Sequence, residues 1–308
     1  MYKWILVSAL GLSLQACTQA PTTEEVITAP PCNVGTYDQV DMLTMKAEKY
    51  QGLDEGTVNQ IALNLRPCIG HPDPEIRDGL VYESLSGFLR GEQITDDTKL
   101  QLFDHMLALM NGPIIEAGYT RPFAALNMSE LARADRVSTY LSDEQREALV
   151  QTTENYMTGI TDHRGYVNNE GWRHSVAHTA DIVLQLSLNP NVTETQLHTL
   201  LAALGTQIAP ASGHAYIHGE PERLARAVLY TANRNMISAE DWNIWFTGLA
   251  NPAPLSSWGE AYKSEAGLAK LHNTKAFLST IYINATETKN PKIKTLLEPA
   301  RNALIKLP

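Results

Sequence analysis

Three cysteines in 308 residues leave no paired-cysteine metal motif. There is no serine nucleophile elbow and no glycine loop able to cradle phosphate. Basic residues are also scarce: 24 Lys+Arg stand against 34 Asp+Glu, a formal charge of −10, which argues against a surface that coats nucleic acid. Only one apolar run is long enough to notice, residues 4–14, and at about 11 residues it is too short to cross a hydrocarbon core of roughly 30 Å as a helix. What is present is the composition of a globular protein with a real core, 44% hydrophobic, together with nine histidines.

The short apolar run follows Lys3 and ends in Leu14-Gln15-Ala16-Cys17, the order of charge, apolar segment and small residue found in export signals. It resembles the lipobox of bacterial lipoproteins. That resemblance implies cleavage before Cys17, lipidation of Cys17 and insertion of its acyl chains into the lipid bilayer, where each buried methylene contributes about 0.8 kcal/mol. Thr18 rather than Asp follows the cysteine, which by the same analogy favours the outer membrane, facing the periplasm. Residues 1–16 are thus expected to be a signal peptide. Residues 17–34, with Pro21, Pro30, Pro31 and several threonines, are expected to be a flexible tether, and 35–308 a single domain. Cys32 and Cys68 remain as two thiols that an oxidising compartment can pair or leave free.

From Tyr37 onward, apolar residues recur at helical spacing between Gly, Pro and Asn breaks, with no convincing alternating strand. An all-α protein is expected, with helices near 38–51, 55–66, 74–90, 96–110, 121–135, 142–158, 171–188, 193–208, 220–234, 238–249, 259–285 and 291–306. Most fall in pairs whose second members start near Asp73, Thr120, Gly171 and Gly219. That recurrence of about 48 residues is close to HEAT and armadillo arrays, and the Asp73-Pro74-Glu75-Ile76-Arg77 run looks like a HEAT turn. An α-solenoid of HEAT-like hairpins is the expected architecture, with an irregular helical bundle as the alternative.

Chemistry concentrates in Asp162-His163-Arg164-Gly165-Tyr166 and Gly171-Trp172-Arg173-His174, continuing to His178 and Asp181. At about 100° per residue, His174, His178, Asp181 and Gln185 share one stripe of a helix. Imidazoles beside a carboxylate suit acid–base work, so Asp162, His174, His178 and Asp181 are the candidate catalytic set, with hydrolysis the reaction they would support. The same pairing is expected to raise the His178 pKa. The i, i+4 spacing of His174 and His178, with Asp181, also makes a divalent metal site conceivable once another segment contributes, from Asp162, His163, His214, His218 or His272. It is not the zincin motif, because Ser175 stands where that motif has Glu. The next second-helix opens Gly219-Glu220-Pro221-Glu222-Arg223, with Pro and acid suited to a helix start. Arg121, Arg164, Tyr166, Trp172, Glu220, Arg223 and Arg226 are the candidate ligand-binding residues, arginine for carboxylate or phosphate and the aromatics as platforms.

Ile76-Arg77-Asp78-Gly79, Arg121-Pro122-Phe123-Ala124-Ala125-Leu126, the Arg164-Gly165-Tyr166 … Gly171-Trp172-x-His174-x-x-x-His178-x-x-Asp181 run and Gly219-Glu220-x-x-Arg223-Leu224 together resemble a bacterial domain-of-unknown-function family, number 2785, over roughly residues 55 to 285. The resemblance implies a helical bacterial domain and supplies no activity. Arg173 and Ser175 stand where it leads one to expect smaller residues, which makes both weak site candidates. Two functions follow as expectations: a central polar cleft for a small polar or anionic envelope ligand, or a scaffold holding a protein partner along the concave face of the solenoid.

Overall fold

In the computed structural model, residues 32–113 and 118–308 are described; the signal and lipidation expectations at residues 1–17 lie outside them. Short polar side chains start most first helices of the pairs by accepting from first-turn N–H groups. Asp54 caps α2 (Glu55–Asn64), Thr95 caps α4 (Asp96–Asn111), Ser142 caps α6 (Asp143–Thr158), Thr193 caps α8 (Glu194–Thr206) and Ser238 caps α10 (Ala239–Leu249). Asp38 does the same for α1 (Gln39–Ala47), as does Ser264 for α11 (Glu265–Glu287). The second helices α5 (Thr120–Val137), α7 (Ser175–Leu188) and α9 (Glu220–Arg234) differ: Tyr119, His174 and Gly219 precede them without a side-chain cap. The expected 74–90 helix is wound as a π-helix over Glu75–Tyr82 and becomes α3 at Glu83–Arg90. The chain closes with α12 (Pro291–Lys294) and α13 (Leu297–Leu304).

The helices pack in two series. In one, α3, α5, α7, α9 and α11 follow each other as neighbours; in the other, α2, α4, α6 and α8 do. Members of the first series run parallel, because start pairs with start and end with end. Pro122 in the first turn of α5 meets His178 in the first turn of α7, and Arg234 at the end of α9 reaches the carbonyls of Ser187 and Asn189 at the end of α7. The uncapped starts of α5, α7 and α9 therefore share one end of this layer, and the candidate residues fall there. Between the series lies one continuous apolar core that includes Phe103, Phe123, Val176, Leu200, Val228 and Phe277.

The described residues are all-α apart from one small hairpin, which corrects the expectation of a helix from 171. Strand β1 (Tyr166–Val167) pairs antiparallel with β2 (Gly171–Trp172). Asn169 at φ +67° and Gly171 at φ +79° occupy the left-handed region that closes this tight turn. The folded part also reaches further toward the N-terminus than the tether assignment allows. Cys32 and Val34 are buried, and Cys32 is disulfide-bonded to Cys68, 36 residues on.

Candidate functional site

The candidate residues separate into three neighbourhoods at that end of the layer. The first is a small cleft of about 70 Å³ between the starts of α5 and α7, lined by Arg121, Asp162, Tyr156 and Ser175 among others. Arg121 is held by its Nε–H, which donates to Met110 O at 3.0 Å, and by stacking on Tyr156 at 4.6 Å. Asp162 accepts from Arg164 Nε and Nη2 at 2.8 and 2.6 Å, with Arg173 3.6 Å away. Burial pushes the Asp162 carboxyl up, but these guanidinium contacts outweigh it and the net shift is downward. Asp162 is an ion-paired wall residue here and not a partner of the histidines.

The second neighbourhood is aromatic and polar. Tyr166 and Trp172, on opposite strands of the hairpin, meet edge to face at 5.1 Å and remain 46% and 39% exposed. The Trp172 ring lies 4.3 Å from that of His174 and 6.2 Å from that of His218. His174 is not on the helix, as the stripe assumed. It is the residue before α7, in the left-handed conformation at φ 46°, because the hairpin and not a helical turn delivers the chain to that point. Its ring still sits edge-on to His178 at 5.8 Å, and its Nε2 lies 3.4 Å from Oε1 of Glu220, the first residue of α9. The other oxygen, Oε2, accepts from the backbone N–H of His218 at 3.0 Å. Burial raises the Glu220 carboxyl, while His174 and the backbone N–H groups of Glu220 and His218 lower it by more, so the net shift is down and the group stays ionised. The positive end of α9 acts in the same sense.

His178 is buried against Phe123, and its Nδ1–H donates to Pro122 O at 3.0 Å. The expected rise of its pKa is reversed: burial, then the nearby His174 and Arg223, hold it well below the ordinary imidazole value. No carboxylate pairs with it, because Asp181 turns away into the third neighbourhood. There Arg223 grips both Asp181 oxygens, through Nε at 3.0 Å and through Nη2, with Arg226 adding positive charge. Burial still leaves the Asp181 pKa raised. The same pattern repeats along the layer. Arg90 donates to both oxygens of Glu130, and Arg136 Nε–H donates to Gln185 Oε1 at 3.0 Å.

His174, His178 and Asp181 thus do not converge, and among the described residues no three His, Cys, Asp or Glu side chains are set to hold a metal ion. Of the histidines named as outside contributors, His163 bonds Gln207 and Ser212, and His272 Nε2–H donates to Tyr216 O. His218 alone joins the aromatic neighbourhood. Two residues outside the candidate set hold this end together. Gly165 packs so closely that a Cβ there would lie 2.6 Å from Glu220 Oε1 and from His218 Nδ1. Arg77, fully buried, pins the hairpin by donating from Nη2 to the carbonyls of Glu170 and Trp172 at 2.9 and 3.4 Å. The close spacing of Gly165 to Tyr166 and of His218 to Glu220 was the available signal.

All three neighbourhoods fall within residues 107–283, which match the family described as protein of unknown function (DUF2785), and the chain belongs to that family. The motif at residues 76–79 lies outside the matched span. No curated protein and no solved structure matches the chain.

Proposed function

We propose that this protein is an exported, lipid-anchored binding protein of the bacterial cell envelope, whose helical solenoid holds a small polar ligand at the hairpin end of its α5–α7–α9 layer. One observation carries the reading: three separate segments, 165–174, 178 and 218–220, bring an exposed Tyr166–Trp172 pair against buried His174, His178 and Glu220. Aromatic surface beside converging polar groups is the usual make-up of a small-ligand site. The arginine–carboxylate pairs along the rest of the layer satisfy one another, which favours a local site over a scaffold with a long polar face. Asp162 and Asp181 are each committed to arginine, which favours binding over hydrolysis. The Cys32–Cys68 bond supports an oxidising compartment, and the parallel stacking order supports the solenoid over the irregular bundle.

Two measurements test this. Cys17→Ala should leave the protein unprocessed or release it from membranes; unchanged fractionation contradicts the anchor. In a thermal-shift screen of envelope sugars, muropeptides, amines and anions, a hit should stabilise the full-length protein and lose that effect in His174→Ala. A hit equally effective on the variant contradicts the site.

A further inference from the structure

The aromatic neighbourhood contains three buried polar atoms with no hydrogen-bond partner: Nε2 of His174, Nδ1 of His218 and Oε1 of Glu220. Native proteins leave few such atoms, and a group of them in one place calls for an explanation. His174 Nε2 and Glu220 Oε1 face each other at 3.4 Å, longer than a good N–H···O bond. Glu220 Oε1 and His218 Nδ1 close on the same side of Gly165, both lying 2.6 Å from the point where a side chain on residue 165 would begin. Residue 165 is packed tightly against both atoms, so any side chain there would collide with them.

Two of the unpartnered atoms elsewhere differ in kind. Arg77 Nε and Arg146 Nε belong to guanidiniums whose remaining nitrogens are bonded. Here each of three neighbouring side chains has one such atom, and Glu220, whose other oxygen accepts from the His218 N–H, is 1% exposed. Trp172, itself part exposed, lies with its ring against those of His174 and His218.

We propose that His174, His218 and Glu220 form the recognition site for the hydroxyl groups of a neutral sugar, with the Trp172 indole as a cover that moves onto the apolar face of the ring. This rests on the ligand-binding reading above and names its ligand class. The chemistry selects as follows. An ionised Glu220 accepts and cannot donate, and it repels phosphate and carboxylate ligands at close range. His174 Nε2, facing that carboxylate, is best served by carrying its proton and then offers a donor. A hydroxyl both donates and accepts, so it satisfies the pair at once; an ammonium, which only donates, meets the imidazole N–H head-on. Motion is confined to the indole, since Arg77 and the strand pairing hold the hairpin backbone. Rotamer changes of exposed side chains take picoseconds to nanoseconds.

The test is calorimetric and saturation-transfer binding to the full-length protein with three probes: the N-acetylglucosamine disaccharide, inorganic phosphate and putrescine. The disaccharide should bind, and E220Q and W172A should each weaken it by about tenfold or more, whereas W172F should hold it within about threefold. Trp172 is part exposed, so W172A keeps the test readable even where E220Q is unstable. Disaccharide binding unchanged in W172A and E220Q overturns the inference. So does binding of phosphate or putrescine alone with loss in E220Q, and that result leaves the ligand-binding reading standing. Absence of binding by all three probes removes both.

Discussion

Two carboxylates in this molecule are equally buried, each 1% exposed, and they are used in opposite ways. Asp135, near the end of α5, accepts from the backbone N–H groups of Tyr140 and Leu141, from Arg146 Nη1 and from Asn189 Nδ2. It ties α5, the following turn, α6 and the end of α7 into one closed network. Glu220, at the other end of the same layer, has one oxygen on a backbone N–H and the other 3.4 Å from the His174 imidazole, too long for a good hydrogen bond. Burial alone does not mark a functional carboxylate. What separates the two is bonding: both Asp135 oxygens are bonded, in a structural joint, whereas Glu220 Oε1 has no hydrogen bond.

The comparison predicts a clear order of effects. Asp135→Ala strips four donors of their acceptor and leaves Arg146 without its buried counter-charge, only the exposed Asp143 remaining; chemical denaturation should show a loss of about 3–5 kcal/mol. A loss under about 1 kcal/mol would break the distinction. Reducing the Cys32–Cys68 bond frees a loop of 36 residues and should lower stability by about 3–4 kcal/mol in the chain-entropy account, read as a fall in denaturation midpoint with dithiothreitol. Glu220→Gln keeps shape and the contact to His218 N–H, so its stability cost should stay near or below about 1 kcal/mol. Equal damage from the two carboxylate variants would show that both are joints.

The histidines sharpen the comparison by pH. His178 is held neutral by burial, so below its ordinary pKa of about 6.5 the unfolded chain takes up a proton that the folded chain refuses. Its contribution to stability is complete above that pH and is lost as pH falls beneath it. Glu220, with a lowered pKa, adds a second loss beginning lower, as pH drops through the carboxyl range. His178→Gln should shrink the first limb, to which His105 and His163, likewise lowered by burial, also contribute, and leave the second; a limb undiminished in that variant would contradict the buried, neutral His178.

Much of this arrangement was legible beforehand. Helix starts were readable wherever Ser, Thr or Asp caps precede an apolar period, and nearly every expected helix is found within a few residues of its place. Thr193 and Ser142 show why, since a cap is a local interaction that needs no tertiary partner. The hairpin was not legible, because Tyr166 to Trp172 carries too few residues for alternation to register and is held by Arg77 from nearly a hundred residues away. His174 shared the apparent stripe only because it precedes the helix by one residue. The sign of the His178 shift depended first on its burial, and then on the charges around it: the sequence placed Asp181 near enough to pair, and Arg223 took Asp181 instead. His218 was one histidine among several until folding set its ring beside Trp172.

The central claim is that the unpaired atoms of His174 and His218 are where the ligand sits. Nitrogen-15 imidazole spectra of the full-length protein, recorded while the N-acetylglucosamine disaccharide is added, address it most directly. The account predicts that Nε2 of His174 and Nδ1 of His218 shift together and saturate, while His178, whose Nδ1 is committed to Pro122, moves little. Saturable disaccharide binding with the His174 and His218 signals unmoved would contradict it.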